Sequence, residues 1–287
     1  MCRLFAQIAP RPESAAKLLA ESRFSLLAQA DFERENLQKD GWGVATYDAR
    51  GRPRVVKSAG AAYEEKEAFI AASRPASQVV IGHIRAASNP RGLPKSQLID
   101  PDNAQPFTDG RWVFAHNGTL EIPDAVAEKL GPLARNLKSK NDSEVYFWQF
   151  LKHFEKLKDV PAALQACVDE DWASWEEVKE KYPEKKSPYT SLNALISDGA
   201  SLHAFCHANR KGLADCAVCT PGQPWSRMSF AHRGEALVVA SEPVDAGAWE
   251  LFQAPEVLSA RIEGRALTVE RRKIAAPQVS FEEAVSP

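Results

Sequence analysis

Short apolar runs of strand length open this chain, helical stretches occupy its middle, and strand-like runs close it, with no regular alternation of strand and helix. That order argues for a layered α+β sheet protein. The early runs are 2–8, ended by Pro10 and Pro12; 41–47, turned by Ala49-Arg50-Gly51 into a hairpin partner at 53–57; the apolar 79–84; and 112–116, closing on the turn-forming pair Asn117-Gly118. Helical spacing is expected from Glu13 into the twenties behind a cap at Ser14, and again from Glu64 to Ala72. Val145, Phe147, Trp148, Phe150, Leu151, Phe154 and Leu157 then trace one helical face from Ser143. A second helical region runs from Pro161 to Tyr182, broken near Asp169 to Asp171, and its charge with Trp172 and Trp175 suits a lid, a partner surface or a plain packing helix. Strands follow over 191–197, 201–207, 227–232, 236–241, 251–262 and 266–271. One domain over 2–275 with a tail at 276–287 is the expected organisation, since no linker, repeat or low-complexity tract divides the chain.

Charge narrows the partners. Lys plus Arg number 36 against 38 Asp plus Glu, so no global field favours nucleic acid or an anionic membrane. No apolar run approaches a membrane span and no signal-like segment is visible, which leads us to expect a cytoplasmic protein acting on a small molecule. The five cysteines are odd in number and thinly spread, unlike a disulfide framework.

The chemistry is expected at Cys2. Initiator Met is generally removed before a side chain as small as Cys, which would leave Cys2 with a thiol nucleophile and a free α-amine on one Cα. The amine's ordinary pKa, about 7.7 to 8.0, suits a general base. The plainer explanation is a small hydrophobe in a first strand. Three stretches weigh against it: Gly82-His83-Ile84-Arg85, His116-Asn117-Gly118 and Asn141-Asp142-Ser143-Glu144. A thiol attacking a carboxamide builds an oxyanion that needs preorganised donors, which Asn117 and the Gly118 N–H can supply. An amino-acid substrate also carries an α-carboxylate and an α-ammonium, calling for a guanidinium and a carboxylate such as Arg85 and Asp142. Taken singly, each has a duller role: a hairpin turn at Asn117-Gly118, a surface ion pair for Arg85, a helix cap for Asp142.

Together and in this order, the four stretches resemble the glutaminase domain of class II glutamine amidotransferases, N-terminal nucleophile hydrolases that cleave glutamine's side-chain amide through a γ-glutamyl thioester. The resemblance covers roughly residues 2–150. Asp40-Gly41-Trp42-Gly43 and Ser241-Glu242-Pro243 resemble the stand-alone branch, which includes a γ-glutamyl hydrolase of ergothioneine biosynthesis. The resemblance implies a four-layer αββα sandwich, Cys2 as nucleophile with its amine as base, Asn117 and Gly118 as oxyanion hole, Arg85 on the α-carboxylate and Asp142 on the α-ammonium. His83 and His116 lie inside the motif strands; with the amine as base both read as structural, His116 being the one expected to touch the substrate. Two positions depart from the family pattern. Arg85 is followed by Ala86-Ala87-Ser88 rather than Trp-Ala-Thr, and Gln105 stands where the family often has histidine; substrate preference is where these changes are expected to act.

The expected activity is therefore cysteine-dependent hydrolysis of the γ-amide of glutamine or a γ-glutamyl conjugate, with no cofactor. The alternatives are a noncatalytic γ-glutamyl-binding regulatory module, or a glutaminase component delivering ammonia to a separate synthase partner. Cys216 and Cys219, near Cys206, His203 and His207, have the spacing of half a zinc site, but the second close pair is missing and His203, Phe205 and His207 alternate as in a strand. Core or edge-strand cysteines are expected there, and no metal.

Overall fold

The computed structural model describes residues 2–32, 37–209, 223 and 226–277. Its strands are β1 (Arg3–Glu13), β2 (Trp42–Tyr47), β3 (Pro53–Ser58), β4 (Ser77–Ile84), β5 (Phe107–Thr108), β6 (Val113–Asn117), β7 (Asn193–Ser197), β8 (Ser201–Cys206), β9 (Ser229–Arg233), β10 (Ala236–Ala240), β11 (Glu250–Leu251), β12 (Glu256–Glu263) and β13 (Ala266–Lys273). They form a seven-stranded sheet in the order β11-β9-β10-β1-β4-β2-β3 and a six-stranded sheet in the order β13-β12-β8-β7-β6-β5. The helices are α1 (Leu26–Gln29), α2 (Lys66–Ser73), α3 (Lys95–Leu98), α4 (Pro123–Glu128), α5 (Asp142–Leu157) and α6 (Val160–Val178).

The side-chain period of two builds four layers from these elements. In β1, Leu4, Ala6 and Ile8 face the other sheet and meet Leu195, Ala204 and Leu258. Phe5 points the opposite way, with Val80 and Ile84 of β4, onto Leu19, Leu26 and Phe69 of the first helical layer. Phe114 of β6 turns outward from the second sheet against Tyr146, Phe147 and Phe150 of α5, with Leu164 of α6 behind them. Strands buried on both faces read as near-continuous apolar runs, which is why 2–8 and 79–84 stand out in the sequence.

The structure corrects several boundaries. Strand β1 continues through Pro10 and Pro12 to Glu13, because its register with β4 shifts between Ile8 and Glu13 and frees the prolines from donating to the ladder. The helix expected from Glu13 becomes a π-helical turn at Lys17–Glu21 followed by α1, whose cap is Ser25, accepting from the Ala28 N–H at 3.2 Å. Helix α6 runs unbroken past Asp171, whose buried side chain accepts from Gln149 of α5 at 2.8 Å. Its tryptophans pack: Trp175 is buried and Trp172 donates to the Tyr189 hydroxyl at 3.0 Å. The strand expected over 251–262 is two, β11 in one sheet and β12 in the other.

Candidate active site

The start of β1 and the segments after β4, β6 and β10 meet at one end of the sandwich. Arg3 pairs with Ile84 at the end of β4, and Phe5 with Ala240 at the end of β10. Cys2 sits just ahead of this ladder and is largely buried, its thiol donating to the Ala86 carbonyl at 3.4 Å. Burial pushes the thiol above its ordinary pKa, opposed by the Arg85 charge and the Ala86 contact, while Asp142 pushes it further up.

Arg85 leaves β4 under tight control. Its N–H donates to the Gly41 carbonyl at 2.8 Å, and its own carbonyl accepts from the Asp40 N–H at 3.0 Å. Nη1 donates to the carbonyls of Leu98 (2.8 Å) and Asp40 (3.1 Å). The remaining guanidinium nitrogens make no hydrogen bond among the described residues. Burial lowers the Arg85 pKa, against the raising influence of Cys2, Asp142 and Asp40. Asp142 opens α5 and is buried. One oxygen accepts from the Ser88 hydroxyl at 3.2 Å, the other from the Leu120 N–H at 2.7 Å, so this carboxylate ties the loop after Arg85 to the loop after Gly118.

Asn117 ends β6 opposite Asn193 of β7, so Asn117-Gly118 is a strand exit rather than a hairpin turn. Its side-chain nitrogen donates to the Ser241 hydroxyl at 3.5 Å. A Cβ on Gly118 would overlap the Ser191 carbonyl, which explains the glycine by close backbone approach.

His116 departs from the expected substrate contact. Nδ1 lies 2.9 Å from the Ser143 hydroxyl and Nε2 2.9 Å from the Ser191 carbonyl. Gln105 brackets the same residue's main chain: Oε1 accepts from the His116 N–H at 2.6 Å, and Nε2 donates to its carbonyl at 3.2 Å and to Ser143 Oγ at 3.3 Å. Since a carbonyl only accepts, Nε2 must carry the proton toward Ser191, and the Ser143 hydroxyl donates to Nδ1. Burial, which lowers the His116 pKa, favours this neutral form. Both nitrogens are committed within the protein, so His116 fixes the end of β6 instead of offering a ring nitrogen to substrate.

Sequence reasoning passed over several residues. Ser143 appears in the sequence only as a member of the motif around Asp142, and Ser88 and Gln105 only as departures from the family pattern, with no role attached to any of them. Arg3 donates to the Cys2 carbonyl at 3.2 Å and pairs with Glu242 at 3.1 Å; the Ser241-Glu242-Pro243 stretch marks Glu242 in the sequence but not its partner at the other end of the chain. Of the cysteine group, Cys206 is buried, accepts from the Met228 N–H at 3.4 Å, and is pushed by burial up to about 12. His203 lies between the Ser201 and Ser259 hydroxyls, and His207 meets Tyr189. Cys216 and Cys219 lie outside the described residues.

Two facing antiparallel sheets enclosed by helices are the architecture of the N-terminal nucleophile hydrolases. Over 96% of this chain, and all of the other, it superposes on a glutamine aminotransferase class-II domain protein from Silicibacter pomeroyi with TM-score 0.62 at 19% identity. A glutamine phosphoribosylpyrophosphate amidotransferase from B. subtilis gives 0.56 at 18%, covering 94% of this chain and 49% of that one. The chain belongs to the class II glutamine amidotransferases, whose family description matches residues 1–233, and is an enzyme of that family. It is 26% identical over 249 residues to a γ-glutamyl-hercynylcysteine sulfoxide hydrolase of Mycolicibacterium smegmatis, spanning 85% of this chain and 88% of the relative.

Proposed function

We propose that this protein hydrolyses the γ-carboxamide of glutamine or of a γ-glutamyl conjugate through a Cys2 thioester, after loss of Met1. The observation that carries this reading is geometric: the Cys2 thiol donates to the carbonyl of Ala86, next to Arg85, and Ser88 of the same segment donates to Asp142, at the end of the sandwich where Asn117 also emerges. The α-amine of Cys2 takes the thiol proton as Sγ attacks the amide carbon, and the oxyanion receives hydrogen bonds from Asn117 and the Gly118 N–H. Collapse of the intermediate breaks the C–N bond, and the departing nitrogen takes the proton from the α-ammonium of Cys2. Water, deprotonated by the same amine, then cleaves the thioester and restores the thiol, releasing glutamate. Arg85 meets the substrate's α-carboxylate with its unused guanidinium nitrogens. Asp142 attracts the α-ammonium, held in place by Ser88 and Leu120.

The test is glutamate release by Met-processed protein from glutamine and from a panel of γ-glutamyl amides including sulfur-containing ones, with Cys2→Ala as control. Turnover that vanishes in Cys2→Ala supports the reading, and the preferred amide identifies the amine side. Intact mass is measured alongside: a protein retaining Met1 and still turning over would overturn the role of the amine.

A further inference from the structure

Cys2 poses a mechanical problem. The ladder of β1 begins at Arg3, and on the proposed mechanism Cys2 has a peptide bond on one side only, so nothing before it in the chain restrains its thiol and amine. Two contacts lock it from the far end of the sequence. Arg3 Nη1 donates to the Cys2 carbonyl at 3.2 Å while Nη2 binds Glu242 at 3.1 Å, with side chains only 4% and 2% exposed. Next to it, Ser241 grips Leu4 twice: its N–H donates to the Leu4 carbonyl at 2.9 Å, and its hydroxyl accepts from the Leu4 N–H at 2.9 Å. That hydroxyl also receives the Asn117 side-chain nitrogen at 3.5 Å. Gln223 secures the segment in turn, donating to the Ser241 carbonyl at 2.8 Å and accepting from Ser229 at 3.0 Å. A buried ion pair contributes little net stability over an apolar pair of similar volume, so its placement against the Cys2 carbonyl argues for geometric specificity.

We infer that Ser241 and Glu242 are positioning residues that hold Cys2 and Asn117 in register with each other, from a segment beyond the 1–233 matched by the family. The inference rests on the roles proposed above for Cys2 and Asn117. Ser241 acts through its hydroxyl on both Leu4 and Asn117, and Glu242 acts through Arg3 on the Cys2 carbonyl. Displacement of a reacting group by about 1 Å lowers rates by up to about 100-fold.

The experiment measures kcat and KM for the best γ-glutamyl amide with Ser241→Ala, Asn117→Ala and the double variant. Ser241→Ala is expected to lower kcat by about 10- to 100-fold with KM unchanged, and by a clearly smaller factor in the Asn117→Ala background, where only the hold on Leu4 is left to lose, because residues in one hydrogen-bonded network are not additive. An unchanged kcat, or the same factor in both backgrounds, overturns the role of Ser241. In parallel, alkylation of Cys2 by iodoacetamide is followed by mass on the N-terminal peptide of the charge-free pair Arg3→Met/Glu242→Leu. Faster alkylation together with a lower kcat is expected of a released Cys2, and wild-type values of both overturn the role of Glu242. Ser241→Ala, which removes one hydroxyl, keeps the test decisive if that pair does not fold. Should wild-type protein hydrolyse no γ-glutamyl amide, the proposed function falls, and alkylation of both variants alone decides whether this segment holds Cys2.

Discussion

Removing Asn117 separates oxyanion stabilisation from substrate anchoring. Asn117→Ala is expected to lower kcat by about 100- to 1,000-fold, the range for loss of one oxyanion donor, and steady-state kinetics on a variant of native Tm checks it. An unchanged kcat would place the oxyanion elsewhere. Arg85→Ala removes an anchor felt equally by bound substrate and transition state, so KM rises and kcat changes less. Substrates lacking the α-carboxylate should then lose little on going from wild type to variant. These candidates stand out in the sequence because each reacting group of the proposed substrate demands a definite side-chain type, and Cys2, Arg85, Asn117 and Asp142 supply those types in motifs; the structure brings their segments to one end of the sandwich. Gln105 and Ser241 also stand in family-pattern stretches, but what they hold was not legible. Gln105 acts on the main chain of His116, a role many residues can fill, and Ser241 reaches Leu4 from 237 residues away.

Helix α5 links the site to the outer layer. Its first turn carries Asp142 and Ser143, while its later turns clasp α6: Lys152 pairs with Glu170, and Gln149 donates to Asp171. Burial, reinforced by the Glu170 charge, pushes the Asp171 carboxyl up to about 8, and its second oxygen has no hydrogen-bond partner among the described residues. The native state therefore keeps a proton that the unfolded chain releases near pH 3.9. Stability contributed by this group is full below that value and is lost as pH rises toward about 8, with a slope of up to roughly 1.4 kcal/mol per pH unit. Asp171→Asn keeps the acceptor for Gln149 and removes the titration. Denaturant midpoints should thus show the variant gaining on wild type between pH 4 and 8, and a constant difference across that range would mean Asp171 is ionised in the fold. The same side chain explains a missed element. Three acidic residues in a row read as a helix break, yet Asp171 is drawn inward by Gln149, a pairing between helices that periodicity within one helix does not register. Strands were easier to read, because burial on both sheet faces writes an apolar run, except where β1 carries its prolines through a register shift.

Across the whole molecule, the layers bury histidines in their neutral form, and this sets an acid limit on the fold. His83 faces the space between the sheets opposite Leu4 and Gly43, with no hydrogen-bond partner for either ring nitrogen among the described residues. Burial, aided by the Arg85 charge, lowers its pKa to about 3. Burial likewise lowers His203 in β8 and His207 just beyond it to about 4 each. In the unfolded chain all three take up protons near pH 6.5. Their contribution to stability is complete above that pH and is lost as pH falls toward about 4, where the unfolded state binds three protons that the native state refuses. Asp171 works in the opposite direction over the same interval with one proton, leaving a net two and a slope of up to roughly 2.7 kcal/mol per pH unit. Glu170 and Asp245, held near about 2, add their loss from about pH 4.3 downward, so the histidine limb stands alone between pH 6.5 and about 5 and steepens further toward 4. The expected result is a Tm that is nearly level from pH 7 to 6.5 and drops steeply from 6.5 to 4. His203→Asn, which removes one titrating ring, should flatten that limb by about half if the other groups stay put, since the net of two protons falls to one. A wild-type Tm that does not move between pH 6.5 and 4 would show that these imidazoles are protonated in the native state, and that the layers admit more water than their burial implies.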